Sequence, residues 1–287
     1  MARSLSAPRK ALYSVGVFIL FLLLVEGGLA LLPRLYGPSA APPEGDFILC
    51  LGDSVTAGVG LGVGQSWPER LEKRLSTRRI PVVRHAVPGA RIAFAAEEGV
   101  AWLDEVPEES TPLVLLMLGH NDEVRFEPGS GTELRKHRFE ELGETTSGWK
   151  GPRLLRLVRW AGSDGSIERA GADWLREAWA LHLPEIVGAA RARGGDVVLL
   201  TYLVPGTPEA LDPEAAALVE EVRLAQAVVN ASIRHAAREY DLALVDLEAL
   251  VPVGAQWNSD QWLDHVHPNA SVTDEIARAI EEALVTD

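Results

Sequence analysis

Phe47-Ile48-Leu49-Cys50-Leu51-Gly52-Asp53-Ser54 is the stretch on which the fold turns. Five apolar residues without alternation read as a strand buried on both faces, as in parallel sheets covered by helices. Gly-Asp ends the strand in a turn, which sets Ser54 just past its carboxyl end, where open α/β sheets place their ligands. A Gly-Asp-Ser tripeptide alone marks only a turn, so its meaning depends on what the rest of the chain brings to it.

Working outward, apolar runs near 46–52, 80–86, 112–119, 196–203 and 242–247 alternate with helical patterns. Alternation of this kind predicts a parallel sheet covered on both faces. Ser66-Trp67-Pro68-Glu69 has capping-box spacing with Pro in the first turn, which predicts a helix to about Arg78 with Leu71 and Leu75 on its apolar face. Further helices are expected at 172–193, ended by Gly194-Gly195, at about 213–239, and from Ser271 to Leu284.

The chain has 287 residues, 47% of them hydrophobic and 24% charged, enough for one sizeable core plus an appendage. Its formal net charge is −14; residues 1–45 carry Arg3, Arg9, Lys10 and Arg34 against Glu26 and Glu44, a net +2, which leaves −16 on the remainder. Such a surface argues against nucleic acid as a partner. Cys50 is the only cysteine, so neither an intrachain disulfide nor a cysteine-based metal site can form. Its place in an apolar strand predicts a small buried core residue.

The N-terminus adds a second expectation. A basic tail, 1–10, precedes Ala11 to Leu32, an apolar segment that as a helix would span roughly 30 Å, about one bilayer core. The basic flank should stay cytoplasmic and place the rest of the chain outside, periplasmic or extracellular. Glu26 and Gly27-Gly28 interrupt the segment, so an uncleaved transmembrane anchor stands beside a cleaved signal sequence, which would make the protein secreted. Residues 33–45, with Pro33, Pro38, Pro42, Pro43 and Gly45, read as a stiff linker ahead of a catalytic domain at 46–287. An insertion at about 123–171 separates the third strand from its helix and reads either as a substrate-selecting lid or as a surface insertion.

Ester cleavage needs an activated hydroxyl, an oriented base, and donors for the charge that develops on the carbonyl oxygen. Three later blocks supply candidates: Gly89; Gly119-His120-Asn121-Asp122; and Asp264-His265-Val266-His267. In the flavodoxin-like strand order 2-1-3-4-5, Ser54 and Asn121 would flank one crevice at the topological switch point. Asp264 is spaced to orient His267 within one turn, leaving the other ring nitrogen for Ser54, and His265 is the rival base. Ser54 N–H, Gly89 N–H and the Asn121 amide would complete an oxyanion hole. Asp53 and Asp122 are expected to hold their turns by bonding loop N–H groups. Trp257 and Trp262 would form a sugar or acyl platform, or simply pack.

These blocks resemble those of the SGNH hydrolases, the GDSL esterase/lipase superfamily, in order and spacing from Asp46 to the C-terminus. The resemblance implies a flavodoxin-like three-layer α/β/α sandwich with a five-stranded parallel sheet; the apolar segment 11–32 would precede it as an N-terminal transmembrane helix. It implies Ser54 as nucleophile, Gly89 and Asn121 as donors, Asp264 and His267 as the remaining pair, and no metal or organic cofactor. The second block departs from the family pattern: His85-Ala86-Val87-Pro88-Gly89 stands where Asn commonly opens the block and Ser precedes the Gly. The expected function is an exported, membrane-tethered serine ester hydrolase acting on an O-acylated carbohydrate, lipid or small ester. An acyltransferase modifying a cell-envelope polysaccharide, or a non-catalytic binding module, are the alternatives.

Overall fold

A computed structural model describes residues 38–126, 167–169, 172–207, 211, 213–251 and 260–285. Five parallel strands, β1 (Phe47–Gly52), β2 (Val82–Ala86), β3 (Pro112–Met117), β4 (Asp196–Leu200) and β5 (Ala243–Val245), form one sheet in the order β2-β1-β3-β4-β5. Gly52 is in register with Ala86 and with Met117. Three strands therefore finish level, and the loops after them open on one edge. Each strand is shorter than its apolar run: β3 stops at Met117 and β4 at Leu200, so Thr201, Tyr202 and Leu203 belong to that edge.

β2 lies on one side of β1 and β3 on the other, so the direction of winding reverses beside β1. With right-handed crossovers, the helices after β1 cover the opposite face from those after β2, β3 and β4. The first set is α1 (Ser54–Ala57) and α2 (Trp67–Leu75). The second is α3 (Ile92–Phe94), a π-turn at Ala95–Gly99, α4 (Val100–Asp104), α5 (His120–Glu123), α6 (Ala172–Ala192) and α7 (Pro213–Glu239). The last helix, α8 (Ala270–Val285), packs along α2, whereas α6 packs on α4 and α7. Three layers result.

The α2–α8 pair positions the end of the chain. Glu69 Oε2 accepts from the Ser66 N–H at 3.0 Å and its hydroxyl at 2.6 Å, which fixes the start of α2, and Trp67, Leu71 and Leu75 are buried beneath. On the outer side Arg74 reaches Asp274 at 2.8 Å and Glu281 at 3.3 Å, both on α8. Asn269 caps α8 by accepting from Ser271 N–H at 2.9 Å and Val272 N–H at 3.2 Å. The core lies between these layers on Leu49, Cys50, Leu51, Leu115, Leu116 and Leu199. Cys50 is buried as its strand position predicts, and burial pushes its thiol pKa well up.

Part of the linker is tied to the domain. Ser39 N–H donates to the Arg84 carbonyl at 2.7 Å and its hydroxyl accepts from Arg84 N–H at 2.9 Å, which covers part of the edge strand β2. Ser110 accepts from Gly45 N–H at 3.1 Å and donates to the Pro43 carbonyl at 3.0 Å. The basic tail, the apolar segment 11–32 and residues 33–37 lie outside the described residues. Among the described residues no helix is long and apolar enough to cross a membrane. Most of the insertion at 123–171 also lies outside them; Val124–Phe126 and Ile167–Arg169 pair as a two-stranded sheet.

Candidate active site

The turn after β1 is built on a close approach. A Cβ on Gly52 would lie 2.0 Å from Thr56 Oγ1 and 2.4 Å from Thr56 Cβ, so only glycine lets the first turn of α1 sit directly on the strand end. Asp53 caps α1: its Oδ1 accepts from Val55 N–H at 3.0 Å. Ser54 therefore opens the helix, half-exposed, and among the described residues its N–H has no acceptor.

The second block packs beside it. Val87 N–H donates to the Gly52 carbonyl at 3.1 Å, and Ala90 N–H returns to the Val87 carbonyl at 2.9 Å. Pro88 and Gly89 fill the two central positions of this turn, with Gly89 at φ +79°, the signature of a type II turn. The proline that departs from the family pattern is thus the residue the turn favours. Gly89 N–H has no acceptor among the described residues. His85 is buried with its ring edge-on to Phe94, centroids 5.2 Å apart, which gives it a packing role, and burial holds its pKa down.

Asn121 joins the first two blocks. Its Nδ2 donates to the Ala90 carbonyl at 2.9 Å and to Asp53 Oδ2 at 3.2 Å. Both amide hydrogens are committed, so the expected third donor is at the site, but an oxyanion must take one hydrogen from Ala90 or Asp53. Asp122 Oδ2 accepts from Ile92 N–H at 3.0 Å, which ties the loop after β3 to α3.

The Asp-His block is a closed turn. Leu263 N–H donates to the His267 carbonyl at 2.8 Å, Asn269 N–H to the Gln261 carbonyl at 2.8 Å, and Trp262 bridges Pro268. Asp264 Oδ1 accepts from Val266 and His267 N–H, each at 2.7 Å, and Asp264 Oδ2 lies 2.8 Å from His267 Nδ1. His267 Nε2 is buried and has no hydrogen-bond partner among the described residues; no hydrogen bond joins it to Ser54. His265 is exposed, which leaves His267 as the oriented ring. Trp262 is buried in the core and packs rather than forming a platform, and Trp257 lies outside the described residues.

Residues 50–272 match the GDSL-like lipase/acylhydrolase family. The chain belongs to that family. Its activity is ester hydrolysis. The fold is also similar to solved structures: a G-D-S-L lipolytic protein from Veillonella parvula (TM-score 0.50, 16% identity, covering 83% of this chain and 97% of that one) and a GDSL-like lipase from Parabacteroides merdae (0.50, 14%, 85% and 97%). A mutant of an acetyl-xylooligosaccharide esterase from Geobacillus is another (0.50, 13%, 86% and 97%). No curated protein sequence matches the chain.

This GDSL-like hydrolase has a buried polar centre that its sequence motifs do not announce. Tyr202, just past β4, donates its hydroxyl to Asp53 Oδ2 at 2.7 Å. Tyr202 is itself held by Asn230 of α7, which accepts from its N–H at 2.7 Å and donates to its carbonyl at 2.8 Å. Burial pushes the Asp53 pKa up to about 6, against the Tyr202 hydroxyl, the Val55 N–H and the charge of His267, while Asp122 adds to the rise. Burial, with His267 and His265 nearby, pulls His120 down to about 4, so at neutral pH it is an uncharged ring beside that of Tyr202. The apolar run 196–203 hides Tyr202 from a sequence reading, and its only signal there is a polar-tipped aromatic near the carboxyl end of a strand.

Proposed function

We propose that the chain is an exported, membrane-tethered serine ester hydrolase that works through an acyl-enzyme on Ser54. One observation carries the assignment: Asp264 holds His267 Nδ1 at 2.8 Å while Nε2, buried and without a partner among the described residues, is left to accept a proton. As Ser54 Oγ attacks the ester carbonyl, His267 Nε2 takes its proton and Asp264 steadies the imidazolium. The carbonyl π pair moves onto oxygen, where the N–H groups of Ser54 and Gly89 meet it and Asn121 turns a hydrogen to it. Collapse breaks the bond to the alcohol oxygen, which leaves with the proton from His267. Water, deprotonated by the same nitrogen, then cleaves the acyl-enzyme, releasing the acid and restoring Ser54.

For substrate we propose an O-acylated carbohydrate, lipid or small ester. Val63, at the tip of the glycine-rich loop after α1, and Leu263, whose side chain stands beside Gly60 of that loop, are both exposed, which supports an apolar acyl part. The apolar segment 11–32 behind Arg3, Arg9 and Lys10 supports tethering with the domain outside the cytoplasm. Tethering is tested by fractionation, where recovery in salt-washed membranes is the expected result and a freely soluble full-length chain the contrary one.

The deciding assay compares wild type with Ser54→Ala on nitrophenyl esters from acetyl to palmitoyl, with an acetylated xylooligosaccharide alongside. Wild-type turnover with a loss of at least roughly 10³-fold in the variant is expected. Equal turnover by the two would remove Ser54 as nucleophile. The best chain length identifies the acyl group.

A further inference from the structure

We propose that Tyr202 is a positioning residue for the oxyanion hole: its hydroxyl occupies Asp53 Oδ2 and thereby leaves the Asn121 amide loosely held, ready to turn to the oxyanion. The inference rests on the reading of Asn121 as a donor in ester cleavage. It starts from the fact that one carboxylate oxygen serves two donors. Tyr202 approaches Asp53 Oδ2 at 2.7 Å and Asn121 Nδ2 approaches it at 3.2 Å, so the phenol makes the short bond and the amide the long one. The other Asn121 hydrogen goes to the Ala90 carbonyl at 2.9 Å, the shorter of the amide's two bonds. The long bond is the one an oxyanion can displace at small cost.

Position supports the same role. Tyr202 lies past the end of β4, Asp53 past β1 and Asn121 past β3. The three loops meet at Asp53 Oδ2, which the phenol and the amide share, with the Tyr202 ring 6.0 Å from that of His120. The phenol does not drift, because Asn230 grips its backbone on both sides and Asn230 Nδ2 also donates to Glu248 at 3.1 Å. Tyr202 touches no reacting atom; it acts through Asp53 on Asn121. Without its hydroxyl, Asp53 Oδ2 has only the amide to bind, so that bond tightens and the amide is withheld from the transition state. Ground-state binding of the ester is not altered, because the oxyanion charge exists only after attack.

The test is steady-state hydrolysis of 4-nitrophenyl butyrate by the full chain as wild type, Tyr202→Phe, Asn121→Ala and the double variant. Tyr202→Phe is expected to lower kcat about tenfold with KM unchanged, and Asn121→Ala by about 10²-fold. The double variant should be no slower than Asn121→Ala, since Tyr202 acts only through that amide. An unchanged kcat in Tyr202→Phe, or a tenfold loss repeated in full in the Asn121→Ala background, overturns the proposal. If Tyr202→Phe does not fold, the comparison is made with Tyr202→His, which keeps a ring and a donor; full additivity overturns it there too. Wild-type kcat in Asn121→Ala would overturn the donor reading itself, an outcome distinct from additivity between two slow variants.

Discussion

Asp264 Oδ2 stands 2.8 Å from His267 Nδ1, and the other oxygen of the same carboxylate receives the N–H groups of Val266 and His267 at 2.7 Å each. One side chain thus shapes the turn and fixes the ring. Burial would raise the Asp264 pKa, but the His267 side chain and the two N–H groups outweigh it and hold the carboxyl below its ordinary value. The aspartate stays charged opposite the imidazole across the neutral range.

Asp264→Asn separates the two tasks. The amide oxygen can still accept both backbone N–H groups, so the turn and the thermal midpoint should survive. The amide nitrogen would face Nδ1 and force the proton onto Nε2, where it blocks acceptance from Ser54. A fall in kcat of roughly 10⁴-fold with little change in KM is expected in steady-state ester hydrolysis. A variant within tenfold of wild type would mean that His267 does not rely on Asp264.

Gly89→Ala tests the backbone donor with little disturbance to packing. No atom lies within 4 Å of a Cβ placed there, so the added methyl meets open space and the cost is the strain of φ +79° alone. About 1 kcal/mol of lost stability is expected from denaturant midpoints. A donor that moves with the strained turn should lower kcat by at least about tenfold. Loss of stability with an unaltered kcat would show that the Gly89 N–H does not reach the oxyanion.

The five strands were legible because they are mostly apolar runs followed by helical patterns, although β2 carries Arg84 and His85 and β4 opens on Asp196. The ends were less so. The run from Asp196 to Leu203 gives no mark at Leu200, yet pairing with β5 ends at the register of Leu200 with Val245, and this turns Tyr202 from a strand residue into a site residue. Ser54, Gly89, Asn121, Asp264 and His267 were legible as candidates from the four blocks taken together, none of which says much alone. The acceptors of Asn121 were not, because Asp53 and Ala90 come from two other loops and meet it only when three strands finish level. The same holds for Ser39, whose partner Arg84 is 45 residues away on an edge strand.

Gly52→Ala should fail where most alanine substitutions pass. Its Cβ would fall 2.4 Å from Thr56 Cβ, a wholly buried residue, so moving the hydroxyl does not relieve the clash. Destabilisation of roughly 1–3 kcal/mol is expected, with the nucleophile turn displaced. Thr56→Ser added to Gly52→Ala should not rescue it, because the offending carbon remains. Thr56→Gly should recover part of the stability, and equal behaviour of the two double variants in urea unfolding would refute the close-approach explanation.

Asp53 gives the pH dependence of stability an uncommon sign. Its folded pKa, pushed by burial to about 6, lies above the ordinary 3.8, so between these values the folded chain holds a proton that the unfolded chain releases. The groups that face it act in both directions: Tyr202, Val55 N–H and His267 pull the value down and Asp122 pushes it up. The resulting stabilisation is fully present below about pH 4, is lost as pH rises through about 6, and changes no further above that. Its size is on the order of 3 kcal/mol. Asp264 and Asp246, whose pKa values are lowered, contribute the opposite slope, so wild type alone does not isolate the effect. Asp53→Asn has no such proton to bind, and its unfolding free energy relative to wild type should therefore rise by about 3 kcal/mol from pH 4 to pH 7. A difference that stays constant over that range would mean that Asp53 remains ionised in the folded protein throughout.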